Sequence, residues 1–126
     1  MKELEFTLSN DIRLAADAYG NPEDPPVLLS HGGGQTRHSW GTTAEALSSK
    51  GWYAVAYDHR GHGDSAWSED GDYNIDRFAE DQRELASRFR SPPALVGASL
   101  GGIAAMVAEG ETSDTVFRAI VLVDIV

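Results

Sequence analysis

Short apolar segments alternate with polar, turn-rich segments along most of the chain. Alternation of apolar and polar side chains predicts strands over Leu4–Leu8 and Ile12–Ala18, with a turn at Ser9-Asn10-Asp11 between them. Compact apolar runs of the kind found in buried strands predict four more: Val27–Leu29, Tyr53–Tyr57, Ala94–Val96 and Ala119–Val123.

Three helices are expected between these strands. Thr42 and Glu45 have the spacing of a capping box, which predicts a helix start near Thr42. A second helix begins at Asn74, a plausible N-cap, and carries an apolar stripe at helical spacing, formed by Ile75, Phe78, Ala79, Leu85, Ala86 and Phe89. The small residues of Gly102–Ala108 form the third helix.

Two leading strands followed by alternating strands and helices define the expected fold class. They predict an α/β fold in which a mostly parallel sheet carries helices on both faces, with an antiparallel hairpin at one edge. Residues 1–126 are expected to contain at most one domain, of which they form the N-terminal part. In such sheets, active sites lie at the carboxyl ends of the strands, so polar segments that follow strands are the first candidates for function.

Charge and cysteine content narrow the function classes. The net charge of −10 argues against nucleic acid and against an anionic membrane surface as partners. The absence of cysteine excludes a disulfide framework and any thiolate metal site or nucleophile. There is no apolar stretch typical of a signal peptide or long enough to span a bilayer, which favours a cytoplasmic protein.

The segment Gly97-Ala98-Ser99-Leu100-Gly101 follows the Ala94–Val96 strand and opens the third helix. Strand, G-x-S-x-G turn and helix in this order form a nucleophile elbow. Such a turn strains the serine backbone and leaves no room for side chains two residues before and after it, where Gly97 and Gly101 stand. The pattern therefore predicts that Ser99 is a nucleophile; the alternative is a glycine-rich loop with a capping serine.

A second glycine-rich segment, Ser30-His31-Gly32-Gly33-Gly34, follows the Val27–Leu29 strand. Glycines allow backbone N–H groups to approach a ligand closely. If this loop lies beside the elbow, one of its N–H groups and the N–H of Leu100 would form an oxyanion hole. The alternative is a flexible turn before a helix.

The polar segment from Asp58 to Ser65 admits two further hypotheses, which are both disfavoured. The first is a dinucleotide-binding fingerprint, which Gly61-x-Gly63-x-x-Ala66 matches. Such a fingerprint must be followed by an apolar helix that binds phosphate, whereas residues 67–72 are acidic and typical of a turn. The second is a metal site, for which the segment has four candidate ligands: Asp58, His59, His62 and Asp64. Their spacing is not that of a structural zinc site. No metal is therefore expected, and the segment is interpreted as a structural loop.

Together these motifs resemble the α/β-hydrolase superfamily in order and spacing. The matching residues are His31-Gly32-Gly33 after a strand, Trp40, Asp58-x-Arg60-Gly61-His62-Gly63-x-Ser65 and Gly97-x-Ser99-x-Gly101-Gly102. The resemblance covers essentially the whole chain and is to the N-terminal half of bacterial serine esterases, perhydrolases and carbon–carbon bond hydrolases. It implies an α/β-hydrolase fold that is truncated after about the sixth of eight strands.

The resemblance also implies the roles of individual residues. Ser99 is similar in position to the nucleophile, and the N–H groups of Leu100 and Gly33 are similar to the two oxyanion donors. The implied reaction is acyl transfer through an acyl-enzyme on a small carboxylic ester or related acyl substrate, without metal or organic cofactor. A serine at position 99 argues against the branches that resemble epoxide hydrolases or haloalkane dehalogenases, which carry an aspartate there.

The chain departs from the family pattern in its general base. The family order is serine, acid, then histidine, yet all four histidines precede Ser99: His31, His38, His59 and His62. We expect the histidine, and the acid, to lie beyond residue 126 and these residues by themselves to be inactive. Two less favoured alternatives are His38 as a substitute base and Asp124 as the acid. A different class of function is a non-catalytic hydrolase-like scaffold that binds a ligand or partner.

Overall fold

The computed structural model of the protein describes residues 1–9, 11–67, 71 and 73–123. They contain a six-stranded sheet made of β1 (Lys2–Thr7), β2 (Arg13–Tyr19), β3 (Pro26–Ser30), β4 (Tyr53–Tyr57), β5 (Ala94–Ala98) and β6 (Ala119–Val123). Three helices connect the later strands: α1 (Gly41–Ser49), α2 (Ile75–Ala86) and α3 (Leu100–Gly110). All the predicted strands and helices are present, with ends that differ by a few residues.

The strand order in the sheet is β1-β2-β4-β3-β5-β6. β1 pairs with β2 and β2 with β4 in antiparallel fashion, whereas the pairs β3–β4, β3–β5 and β5–β6 are parallel. This confirms the expected mixed α/β sheet and its antiparallel edge hairpin. The chain moves outward from β3 in opposite directions, first to β4 and later to β5, so the crevice above β3 and β5 is a topological switch point.

Helices cover both faces of the sheet, as predicted. Leu28 of β3 is buried in the core beneath α2 and α3, whereas its neighbours Val27 and Leu29 are buried on the opposite face with Ala44 of α1. Strands with two covered faces need apolar residues at successive positions, which explains the continuous apolar runs in the sequence. In the part of the chain that the structure describes, no helix has the length and apolar character needed to cross a bilayer.

The helix α1 starts at Gly41, next to the predicted Thr42, but without the expected capping box. A 3-10 turn over Arg37–Trp40 runs directly into α1, and the N–H of Gly41 donates to the carbonyl oxygen of His38. The helix therefore begins at Gly41, and Trp40 occupies the N-cap position without a side-chain hydrogen bond. Because the preceding turn satisfies the first helical donor, the capping box expected at Thr42 does not form.

The start of α2 is as predicted, but its end is earlier than the apolar stripe indicated. Asn74 is the N-cap, and its side-chain oxygen accepts a hydrogen bond of 3.1 Å from the N–H of Arg77. The helix ends at Ala86. Phe89 belongs to the stripe by spacing, yet it lies beyond the helix end and packs edge-on against Tyr53, with ring centroids 6.4 Å apart.

Candidate active site

Ser99 lies at the sharp turn between β5 and α3, with its residue exposed to solvent. Its backbone has φ 47° and ψ −112°, a conformation that non-glycine residues rarely adopt. A Cβ atom at Gly97 would lie 2.6 Å from the backbone nitrogen of Gly102, and one at Gly101 would lie 2.3 Å from the carbonyl oxygen of Ser30. Only glycine fits at both places, so the two glycines of the motif are explained by direct contact.

The glycine loop after β3 lies beside this turn. A Cβ atom at Gly32 would be 3.5 Å from Cβ of Ser99, and one at Gly33 would be 3.8 Å from Cδ2 of Leu100. The structure thus brings Ser99, Leu100 and Gly33, which the sequence singled out separately, to one place at the carboxyl ends of β3 and β5. This arrangement depends on the parallel pairing of β3 with β5.

Two histidines hold the loop after β3 in position. His31 is buried; its Nδ1 donates to the carbonyl oxygen of Gly32 at 2.7 Å, and its Nε2 accepts from the N–H of His59 at 3.0 Å. His62 donates from Nδ1 to the carbonyl oxygen of Arg60 at 3.0 Å and accepts at Nε2 from the N–H of Gly34 at 3.1 Å. In this assignment each ring is a neutral tautomer with both nitrogens hydrogen-bonded.

His59 completes the set of buried imidazoles. Its Nε2 donates to the carbonyl oxygen of His31 at 2.9 Å, and its ring packs edge-on against that of His31, with centroids 4.4 Å apart. Burial lowers the pKa of His59 to about 3, and it also lowers the pKa of His31. Both rings are therefore neutral at physiological pH.

None of the four histidines, all of which lie among the described residues, is hydrogen-bonded to Ser99. Both nitrogens of His31 and of His62 are hydrogen-bonded to other groups, as is Nε2 of His59, whose Nδ1 is buried without a hydrogen-bond partner among the described residues. His38 is exposed, and its Nδ1 lies 3.8 Å from Oδ2 of Asp17 on β2, which is separated from β5 by two other strands. Asp124, the alternative acid, lies outside the described residues.

A buried ion cluster around Arg37, which the sequence analysis missed, fixes the far end of the same loop. The guanidinium of Arg37 is paired with Asp58 and lies 3.0 Å from Oδ2 of Asp64. Its Nε is 3.1 Å from Oδ1 of Asp17, a contact without hydrogen-bond alignment. Burial acts to lower the pKa of Arg37, but the interactions of its guanidinium with the carboxylates of Asp64, Asp17 and Asp58 outweigh it and raise the pKa, so the group stays charged.

The segment from Asp58 to Ser65 serves the packing of its own loop. A Cβ atom at Gly61 would lie 2.5 Å from the Tyr73 ring, and one at Gly63 would lie 2.3 Å from Oδ2 of Asp58. The glycines of the fingerprint-like pattern are thus accounted for by intramolecular contacts. Within residues 1–9, 11–67, 71 and 73–123, no three carboxylate, imidazole or thiol groups converge as metal ligands would.

Two further buried polar residues, Ser30 and Gln82, lie beneath the turn and were also missed. Gln82 is fully buried and donates to Oγ of Ser30 at 2.9 Å. A signal for Gln82 was present in the sequence, because it falls four residues after Phe78 and three before Leu85, on the apolar face of α2. A polar side chain at such a position indicates a buried hydrogen bond.

Comparison with known proteins agrees with this geometry. The sequence model of the family described as the alpha/beta hydrolase fold matches residues 25–125. Esterase Rv0045c of Mycobacterium tuberculosis is 42% identical over 105 residues, which is 80% of this chain and 33% of that protein. Epoxide hydrolase A of the same organism is 35% identical over 74 residues, which is 58% of this chain and 23% of that protein.

Solved structures give the same result at the level of the fold. A thioesterase domain from the curacin biosynthetic pathway superposes with a TM-score of 0.88 at 26% identity, covering 98% of this chain and 46% of that one. Epoxide hydrolase VrEH1 from Vigna radiata has a TM-score of 0.86 at 28% identity, and the match covers 98% of this chain and 40% of that one.

The chain belongs to the α/β-hydrolase fold family. It spans about a third of the length of the curated relative Rv0045c and less than half of these structural neighbours.

The strain at Ser99 predicts a difference between two variants that both lack the hydroxyl. Ser99→Gly should be more stable than Ser99→Ala by about 1–3 kcal/mol, because only glycine relieves the positive φ. Urea unfolding followed by circular dichroism measures the difference. Equal stability of the two variants would contradict a strained backbone at this position.

The buried imidazole of His59 predicts a loss of stability in acid. Its pKa is 6.5 in an unfolded chain and about 3 in the fold, so between these values only the unfolded state binds the proton. The free energy of unfolding should therefore fall as the pH drops below 6.5, with His59 contributing a loss of about 2 kcal/mol at pH ~5 relative to pH ~7.5. Urea unfolding of wild type, His59→Gln and His38→Gln at both pH values tests this. Of the two variants, only His59→Gln should show a weaker pH dependence of the free energy of unfolding. An unchanged pH dependence in His59→Gln would refute the lowered pKa of His59.

Proposed function

We propose that the protein is a serine hydrolase that cleaves small carboxylic esters or related acyl compounds through an acyl-enzyme at Ser99. The observation that carries the proposal is the conformation of Ser99, an exposed serine with φ 47° at the first turn of α3. Backbone N–H groups at a helix start favour negative charge that develops next to them. The 42% identity to an esterase supports the same reaction class.

In the proposed reaction, Oγ of Ser99 attacks the carbonyl carbon of the substrate. The carbonyl oxygen becomes an oxyanion that accepts hydrogen bonds from the N–H groups of Leu100 and Gly33. The alcohol then leaves with a proton, and water releases the acid from the acyl-enzyme. Contact between the Gly32–Gly33 loop and the turn at Ser99 supports this assignment of donors.

A general base must take the proton from Ser99, and we place that base outside the 126 residues. The hydrogen bonds of His31, His59 and His62 go to backbone groups other than Ser99, which argues against each of them as the base. The family order of serine, acid and histidine supports a base later in sequence than Ser99. These residues without such a base are expected to turn over esters slower by several orders of magnitude.

Similarity to epoxide hydrolases raises the question of which bond is cleaved. The family resemblance implies an aspartate nucleophile in those enzymes, whereas this chain has Ser99 at the corresponding place. A serine forms an ester with an acyl group, so acyl transfer fits the side chain present. We therefore favour esters over epoxides, with a small molecule as the partner and no nucleic acid, in line with the net charge of −10.

The second candidate is a non-catalytic scaffold for ligand or partner binding. A strained serine lowers stability by about 1–3 kcal/mol, and a binding module gains nothing from it. An exposed, strained serine between two glycines that have no room for a Cβ atom therefore favours catalysis over binding.

Labelling with a fluorophosphonate tests the proposed nucleophile. The intact protein should be labelled, and Ser99→Ala should abolish labelling because the proposed nucleophilic hydroxyl is removed. Ser113→Ala is the matched control, since Ser113 is an exposed serine in the loop after α3; it should label at the wild-type rate. Folded wild-type protein that resists the reagent, or a Ser99→Ala variant that still reacts, would reject this function and favour the scaffold.

A further inference from the structure

We propose that Gln82 is a positioning residue that holds the Ser99 turn and the glycine loop after β3 in register. The inference rests on the proposed function, because it assigns a role in aligning the N–H groups of Leu100 and Gly33. Gln82 lies on α2 and reaches neither Ser99 nor the space above it by hydrogen bond. It acts through the backbone that carries the two donors.

The side-chain amide of Gln82 bridges the two segments with one nitrogen. Nε2 donates to Oγ of Ser30 at 2.9 Å and to the carbonyl oxygen of Gly101 at 3.0 Å. An amide nitrogen has two protons, so both are used. The side chain is fully buried, where such hydrogen bonds are not weakened by competition with water.

Each acceptor is close in sequence to one proposed oxyanion donor. Gly101 directly follows Leu100, and Ser30 ends β3 three residues before Gly33. The two residues also lie side by side, since a Cβ atom at Gly101 would be 2.6 Å from Oγ of Ser30. A single amide therefore fixes the spacing of the backbone on both sides of the crevice.

The helix that carries Gln82 is itself anchored to the loop after β4. Asp81 accepts two hydrogen bonds from Arg60, at 2.7 and 2.8 Å, and both side chains are buried. Two parallel bonds of this kind restrict orientation as well as distance. The Arg60–Asp81 pair thus fixes the part of α2 from which Gln82 reaches the two segments.

Both hydrogen bonds that the Gln82 side chain makes go to the two site segments. Its Oε1 is buried and has no hydrogen-bond partner among the described residues, which offsets part of the stabilisation that the two bonds from Nε2 provide. Methionine has a similar length and is apolar, so Gln82→Met removes both bonds but keeps a side chain that can pack on the helix face of Phe78 and Leu85. The amide at this position therefore serves the link between the two segments, as a positioning role requires.

Hydrogen–deuterium exchange tests the bridge without relying on activity. The variants, made in the intact protein, are Gln82→Met, Ser30→Ala, which removes one acceptor, and Leu85→Val as a control that loosens the same helix without touching the bridge. Backbone amides of residues 30–34 and 97–102 should exchange faster in Gln82→Met and Ser30→Ala, in both segments together. Leu85→Val should leave both segments as in wild type. Unchanged exchange in Gln82→Met, or a change in one segment only, would overturn the inference.

Ester hydrolysis then tests the consequence for the reaction. With p-nitrophenyl acetate, Gln82→Met should lower kcat by about 10- to 100-fold with little change in KM, because misplaced donors affect the transition state more than substrate binding. Leu85→Val should retain the wild-type kcat per folded molecule, and a Gln82→Met variant that also retains it would overturn the positioning role. Absence of Ser99-dependent turnover in wild type would reject the proposed function instead, while the exchange result still decides whether Gln82 bridges the two segments.

Discussion

The contact between the first turn of α3 and the end of β3 is the constraint on which the rest of the site depends. If residue 101 had a Cβ atom, it would lie only 2.3 Å from the carbonyl oxygen of Ser30, so only glycine allows the two backbones to come this close. This approach sets the position of α3 relative to the glycine loop. The same close approach lies two residues after Ser99, which has φ 47° at the sharp turn after β5. The strained serine and the glycine loop thus meet at one packing contact.

Imidazole hydrogen bonds and the ion cluster around Arg37 keep the surrounding loops in place. His31 and His62 bind backbone groups of the glycine loop, and Arg37 fixes its far end through Asp58. Rings that donate at one nitrogen and accept at the other must be neutral, and burial of His31 and His59 favours that state. The abundance of histidine near the glycine loop therefore has a structural cause, and none of the four rings, all in the described part of the chain, is hydrogen-bonded to Ser99.

Much of the fold was predictable because its signals are local. Apolar runs gave the strands, and the glycine spacing around Ser99 pointed to a turn that the structure contains at that place. The long-range polar contacts were not predictable in the same way. Arg37 and Asp58 are 21 residues apart, and Gln82 and Ser30 are 52 apart, so their pairing depends on the order of strands in the sheet.

Local signals also failed where a neighbouring element took over their role. The capping box at Thr42 does not form because a 3-10 turn already satisfies the start of α1. Similarly, the apolar stripe of α2 includes Phe89, which packs on the sheet from a position beyond the helix. Spacing alone cannot separate a helical residue from one that reaches the same core by another path.

The most direct test of this account compares two glycines of α3 by urea unfolding. A Cβ atom at Gly101 would collide with Ser30, whereas one at Gly110 would meet nothing within 4 Å. Gly101→Ala should therefore lower the free energy of unfolding by at least about 1–3 kcal/mol. Gly110→Ala should leave the free energy of unfolding unchanged or raise it by up to about 1 kcal/mol. Equal stability of the two variants would show that the close contact between α3 and β3 does not determine the structure of the site.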